Sequence, residues 1–274
     1  MAPEKIISYF TYNYSAQKFL RLSLIFFFRE IFWKLRNLIL KKKDKLIINK
    51  NQNKGWSIIF LTTVLTKKNL KNILHYQKKF KNTKYEIIII CDDSKTKKMN
   101  KKIKLINLNS TNFTLGFKRN LGISKSNFRN ILMTLDYTSP IKINLNQLNK
   151  EINKYDVICP KLLTLDNKRY LDWMYIDFPK IGKSFAPYKS NNLKYMYFHG
   201  TSYVFKKKFI IKNLFSNLLD NKEGEDVSWS LKIRNYCMAK SSNNIILKVK
   251  RKSSENSVLN NKFFKENNDK LKYS

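Results

Sequence analysis

This chain predicts an α/β fold, a doubly wound and mainly parallel sheet with helices on both faces, and three observations carry that prediction. The runs SIIFLTTV at 57–64 and YEIIIIC at 85–91 are continuously apolar, as strands are when both faces of a sheet are covered. Stretches of helical spacing separate most such runs, starting with 67–80, where Leu70, Ile73, Leu74 and Tyr76 recur. Alternating β and α at this spacing gives parallel strands joined by crossovers. The chain has 274 residues, 43% hydrophobic and 14% aromatic, enough for a full core and too apolar for intrinsic disorder through its bulk.

An N-terminal segment, 1–54, precedes the sheet. It shows no secretory signal, since 1–18 is mixed and polar. Residues 19–40, FLRLSLIFFFREIFWKLRNLIL, are rich in apolar side chains but interrupted by Arg21, Arg29, Glu30, Lys34 and Arg36. A transmembrane helix needs about 20 nearly uncharged residues. At about 100° per residue, Arg21, Arg29 and Arg36 share one side, and Leu24, Phe27, Phe28, Ile31, Leu35 and Leu38 another. The segment reads as an amphipathic helix. It either lies in a membrane interface, with Lys41, Lys42 and Lys43 toward anionic lipid, or packs on the protein's own core. Residues 44–54 read as a polar linker.

The main domain spans 55–250. After the strands at 57–64 and 85–91, further strands are expected at 103–108 (IKLINL), 130–135 (NILMTL) and 156–163 (DVICPKLL). Beyond 165 the pattern loosens. Residues 195–205 suggest a strand containing Gly200, 226–235 a helix and 245–249 a last strand. Residues 251–274 are Lys-, Asn- and Ser-rich and read as a basic, disordered tail.

Ligands of an open parallel sheet bind beyond the carboxyl ends of its strands, and polar residues cluster there. The first strand ends in Thr62-Thr63, the second in Cys91-Asp92-Asp93, the fourth in Asp136-Tyr137-Thr138. The Asp92-Asp93 pair suits a ribose or base at the sheet edge, or a turn or helix cap. The chain has six glycines, so each marks a backbone requirement. In GFKRNLGIS a helix opens with Lys118 and Arg119 near its start, able to meet an anion. Glu225 and Asp226 open another helix, where acids meet the dipole or act as a general base.

Charge sets the remaining bounds. There are 55 basic and 19 acidic residues, a net of +36, and eight of the basic ones are arginine. Abundant Lys, Asn and Ile suggest an AT-rich coding sequence. The scarcity of acids still favours an anionic partner such as phospholipid, nucleotide phosphate, acidic glycan or nucleic acid. Three cysteines, with no CxxC pair, and two histidines exclude a disulfide framework and a zinc finger.

The order SIIFLTT, EIIIICDDS, GFKRNLGISKS, ILMTLD, HGTSYVFKKKF, GEDVSWSLKIR, over about 56–240, resembles a family 2-type GT-A glycosyltransferase. The resemblance implies a GT-A-like sheet and inverting transfer from a nucleotide-diphosphate sugar donor to a hydroxyl of a glycan or lipid-linked saccharide. It implies Asp226 as the base, supported by Glu225. Thr62, Asp92 and Asp93 would border the nucleoside, and Lys118, Arg119, Asn120 and Gly122 would lie against the donor. Asp136 would begin a DxD element holding a divalent metal, Mn²⁺ or Mg²⁺. His199 and Gly200 would line the cleft, with Trp173 and Trp229 either stacking on sugars or buried, the commoner fate of tryptophan. The sequence departs from the pattern: Thr138 replaces the second DxD carboxylate, His199-Gly200 a double glycine, and Leu61 a proline after the first strand. His199 is an additional candidate ligand.

The expectation is therefore a cytoplasmic, membrane-peripheral glycosyltransferase with an anionic membrane surface as partner and no specific nucleic acid. Two alternatives stand: a catalytically degenerate protein on the same fold, supported by Thr138, and a basic nucleic-acid-binding protein, supported by net charge alone.

Overall fold

The computed structural model describes residues 46, 48–94, 102–175, 185–189, 196–219 and 224–250, together with Phe28, Ile31 and Leu35. Those three are helical, and all three apolar side chains are exposed. The rest of the amphipathic segment, including Leu24, Phe27 and Leu38, lies outside the described residues, as does the tail at 251–274.

From Asn53 on, the described residues form ten strands and five helices. The strands are β1 (Asn53–Leu65), β2 (Tyr85–Ser94), β3 (Ile103–Asn107), β4 (Phe128–Leu135), β5 (Thr138–Ile143), β6 (Val157–Leu163), β7 (Trp173–Tyr175), β8 (Met196–Phe198), β9 (Ser202–Lys206) and β10 (Ala239–Val249). The helices are α1 (Lys67–Phe80), α2 (Leu115–Lys125), α3 (Leu145–Lys154), α4 (Lys207–Ile210) and α5 (Glu225–Ile233). Eight strands form one sheet in the order β3-β2-β1-β4-β9-β6-β10-β5, and β7 pairs with β8 apart from it. Pairs β3–β2, β2–β1, β1–β4 and β6–β10 are parallel. Strand β9 runs antiparallel between β4 and β6, and β5 antiparallel on the β10 edge.

The continuous apolar runs have the expected cause. Ile58 and Phe60 face one side with Ile73, Tyr76 and Phe80 of α1 and Leu148 and Ile152 of α3. Ile59 and Leu61 face the other with Leu121 and Ile123 of α2, Tyr203, Phe205 and Trp229. Side chains alternate across a strand, so both faces must be apolar when both are covered. Gly122 lets α2 approach: a Cβ there would lie 2.5 Å from Cγ2 of Ile59.

The structure differs from the sequence expectation in several features, including the following. The single strand expected at 195–205 is two strands in separate sheets, β8 and β9, broken at His199-Gly200-Thr201. Strand β5 was not expected; it contains Pro140 and is an edge strand, where a missing N–H is tolerated. The described part of the expected linker is docked: the Asn49 N–H donates to the Ser124 carbonyl at 3.0 Å, and Lys207 Nζ to that of Asn51 at 2.6 Å.

Candidate active site

The chain leaves β1 toward β2 on one side and returns to β4 on the other, so strand order reverses between β1 and β4. At that switch point the carboxyl ends of neighbouring strands diverge and leave a crevice. A cavity of about 630 Å³ lies there, lined by Thr62 and Thr63 after β1, Asp136 and Tyr137 after β4, Lys118 of α2, Tyr170, the His199-Gly200 turn, and Glu225 and Asp226 of α5. Segments far apart in sequence thus bring Thr62, Lys118, Asp136, His199, Gly200, Glu225 and Asp226 to one place.

Asp226 is the cavity carboxylate held by backbone. Its Oδ2 accepts the Gly200 N–H at 2.8 Å, and its Oδ1 accepts the Val227 N–H at 2.8 Å. Burial pushes its carboxyl above the ordinary aspartate range, opposed by the Gly200 N–H and the Arg119 guanidinium. Glu225 is raised by burial too, against the pull of Arg119. Burial thus favours the protonated form of both neighbouring carboxyls, and Arg119 opposes it.

Asp136 is held as an acceptor. Thr62 Oγ1 donates to its Oδ2 at 2.7 Å, the Asn69 side-chain amide donates to the same oxygen, and Asn72 Nδ2 reaches its carbonyl at 3.4 Å. Thr138, two residues on, turns into the core, where its hydroxyl meets Tyr76 Oη at 2.8 Å and Thr134 Oγ1 at 2.9 Å. The element thus offers one carboxylate, and Thr138, which stands in place of the second, faces away. Among the described residues no group of three His, Cys, Asp or Glu comes together. This donor set does not fit a divalent cation gripped by the chain through Asp136 and Thr138. His199 lines the cavity with Nδ1 2.9 Å from Thr201 Oγ1.

Other expected site residues stand elsewhere. Asp92 is buried in an ion pair with Lys118, at 2.6 Å and 2.7 Å to its two oxygens, and so reaches the site through the lysine. Asp93 is exposed outside the cavity lining. Arg119 has no exposed surface, and Asn120 is bonded to Phe215 and Asn217; neither lines the cavity, because α2 turns both into the protein. Gly122 faces Ile59. Trp173 packs edge-on to Phe198, and Trp229 stacks on Phe215 and donates to the Asn213 carbonyl at 2.6 Å. Both tryptophans are core residues, as large apolar rings without an exposed polar task usually are. Asn69 and Tyr170 stand at the site without having been singled out from the sequence. Asn69 carried a usable signal, its place in the first turn of the helix after β1.

No protein-family model matches the chain, and no curated protein does. Solved structures do. TarS 1–349 of S. aureus in complex with UDP-GlcNAc superposes with a TM-score of 0.56 at 16% identity, over 73% of this chain and 60% of that one. TarS 1–349 without that ligand gives 0.55 at 14%. GalNAc-T7 with UDP, GalNAc and Mn²⁺ gives 0.55 at 12% identity, over 77% of this chain and 45% of that one. The match thus spans less than two thirds of either protein. Both are GT-A-fold glycosyltransferases, and the chain described here has the GT-A fold.

Proposed function

We propose that the chain is an inverting glycosyltransferase. It moves a sugar from a nucleotide-diphosphate sugar to a hydroxyl of a glycan or lipid-linked saccharide, with Asp226 as general base. The observation that carries this reading is Asp226 itself: a buried carboxylate held by two backbone N–H groups at the mouth of α5, facing a crevice at the strand-order switch point. TarS solved with UDP-GlcNAc and GalNAc-T7 solved with UDP and GalNAc support the donor class.

In this reading the donor lies across the carboxyl ends of β1 and β4, with Thr62 and Asp136 on its nucleoside side. Lys118 bears on the diphosphate. Asp226 takes the proton of the acceptor hydroxyl as that oxygen forms its bond to the anomeric carbon, and the bond from that carbon to the diphosphate breaks on the opposite face. The nucleoside diphosphate leaves with the bonding pair, and the sugar is inverted. The acceptor arrives at a membrane. Among the described residues no helix is long and apolar enough to cross one. Helix α1 exposes Lys67, Lys68, Lys71, Lys78 and Lys79, and Phe28, Ile31 and Leu35 are exposed apolar residues. Basic and apolar surface of this kind suits the anionic cytoplasmic leaflet.

The test is the anomeric configuration of the product, read by NMR before mutarotation. Transfer with inversion is expected. Transfer with retention would remove Asp226 from the role of base in a single displacement.

A further inference from the structure

Arg119, beneath the cavity floor and unused by the transfer chemistry above, closes a ring of contacts with Gly200, Glu225 and Asp226, which line the cavity. Arg119 is fully buried, its guanidinium 5.0 Å from the Tyr203 ring and 5.1 Å from that of Phe215. Its Nε and Nη2 donate to Glu225 Oε1 at 3.1 Å and 2.8 Å, and Nη2 also donates to the Gly200 carbonyl at 2.6 Å. The Gly200 N–H then donates to Asp226 Oδ2 at 2.8 Å, and Glu225 and Asp226 are consecutive at the start of α5. The ring has no room for a side chain at 200. A Cβ there would lie 2.8 Å from Arg119 Nη2 and 3.2 Å from both Asp226 Oδ2 and Glu225 Oε1.

We propose that Arg119 is the positioning residue of this site, fixing Gly200 and Glu225 so that Asp226 presents one orientation to the cavity. Both ends of the Gly200 peptide region are engaged, the carbonyl by Arg119 and the N–H by Asp226. A shift of the guanidinium therefore moves the donor that holds the base. A buried ion pair adds little net stability over well-packed apolar residues, so stability alone is a weak reason for an arginine here. Its positive charge also favours the ionised form of Asp226.

Other groups face Asp226. Glu225 neighbours it on α5, Tyr197 comes from β8, Tyr203 from β9, and His199 from the turn between those strands. Lys118 and Asp136 line the same cavity. The effect of Arg119 must be separated from theirs. Removing the arginine alone would also leave Glu225 to neutralise itself, so the two charges have to be changed in order.

The inference rests on the glycosyl-transfer reading for its kinetic arm only. The other arm titrates Asp226 by ¹³C-carboxyl NMR in the full chain, assigned with Asp226→Asn. Glu225→Gln keeps an acceptor for Arg119 and removes a like charge, so the Asp226 titration is expected to move down by about one pH unit. Adding Arg119→Met to Glu225→Gln removes the cation and is expected to move it back up by about as much. In the kinetic arm, Arg119→Lys keeps the charge and loses the fork. The expected result is a fall in kcat of about 100-fold with nucleotide affinity unchanged, because Arg119 does not line the cavity. An Asp226 titration that stays at its wild-type position both in Glu225→Gln and in the double variant would overturn the proposal, as would an Arg119→Lys variant that loses nucleotide affinity and keeps kcat. Should the double variant fail to fold by circular dichroism, Glu225→Gln and Arg119→Lys still decide. A wild-type chain without turnover would sink the transfer reading, and the titration would still settle the ring.

Discussion

Asp136 and Asp226 are both aspartates at the carboxyl edge of the sheet, yet their surroundings set them to different work. Asp136 accepts from Thr62 and Asn69 side chains, a setting that holds its carboxylate in one orientation at the cavity. Asp226 is buried against Glu225 and Gly200, and its carboxyl is raised. The linkage has a definite sign. An unfolded aspartate ionises near pH ~3.9, and the folded one ionises higher, so folding retains a proton between the two values and the fold loses stability as pH rises through that window. Asp226→Asn cannot ionise and escapes the loss. Thermal melts are expected to show Asp226→Asn more stable than wild type at pH 7.5, with the gain fading toward pH 4. An equal gain at both pH values would mean that Asp226 is not raised. Residue identity made the two aspartates and Glu225 legible as candidates. It could not separate Lys118, at the cavity, from Arg119, beneath it. Which side of α2 each faces depends on the sheet under the helix. The tryptophans stood open between two readings for a related reason: an indole suits a sugar face or a core until its neighbours are known, and here both are core.

At the scale of elements, the sequence was most readable where one physical demand fixed the residues. Strands β1 and β2 are buried on both faces and read as strands at once, and α1 and α2 carry side-chain N-caps at Thr66 and Thr114. Strands β5 and β7 were not foreseen, and β9 was foreseen only as part of a longer run. Edge strand β5, with Pro140 inside it, carries no continuous apolar run, and β8 and β9 on either side of Gly200 read as one run. The reversal of β9 depends on pairing with β4 and β6, which no local pattern encodes. Gly122 was read as a donor contact, but its position is explained by helix-to-sheet distance. Gly122→Ala would push a methyl against Ile59, and overpacking of this sort costs about 1–3 kcal/mol. Urea unfolding is expected to show that loss as a lower midpoint at unchanged slope. A neutral Gly122→Ala would mean that α2 can lift from β1 at no cost.

For the whole molecule, the net charge of +36 was legible from composition, while its distribution needed the fold. The exposed lysines of α1 form a stripe on one face of the sheet, with no acid in the helix, and that helix starts at the cavity through Asn69. Lys208 and Lys212 are exposed near α4, which packs on the other face. Flotation with phosphatidylcholine vesicles containing phosphatidylglycerol separates the two faces at equal change in charge. Each lysine near an anionic surface contributes about 1 kcal/mol. Lys67→Glu with Lys71→Glu is therefore expected to weaken binding at least tenfold, and Lys208→Glu with Lys212→Glu far less. Equal losses would assign the attraction to net charge and not to the α1 face.

The measurement that bears most directly on the assigned chemistry is nucleotide release from a panel of nucleotide-diphosphate sugars, with Asp226→Asn beside wild type and nucleotide affinity measured on both. A general base contributes about 10²–10⁴-fold. The expected result is release from one donor in wild type, reduced by that factor in Asp226→Asn, with affinity for the donor retained. Binding of no nucleotide, or release that Asp226→Asn leaves untouched, would contradict the assignment of this cavity to glycosyl transfer with Asp226 as its base.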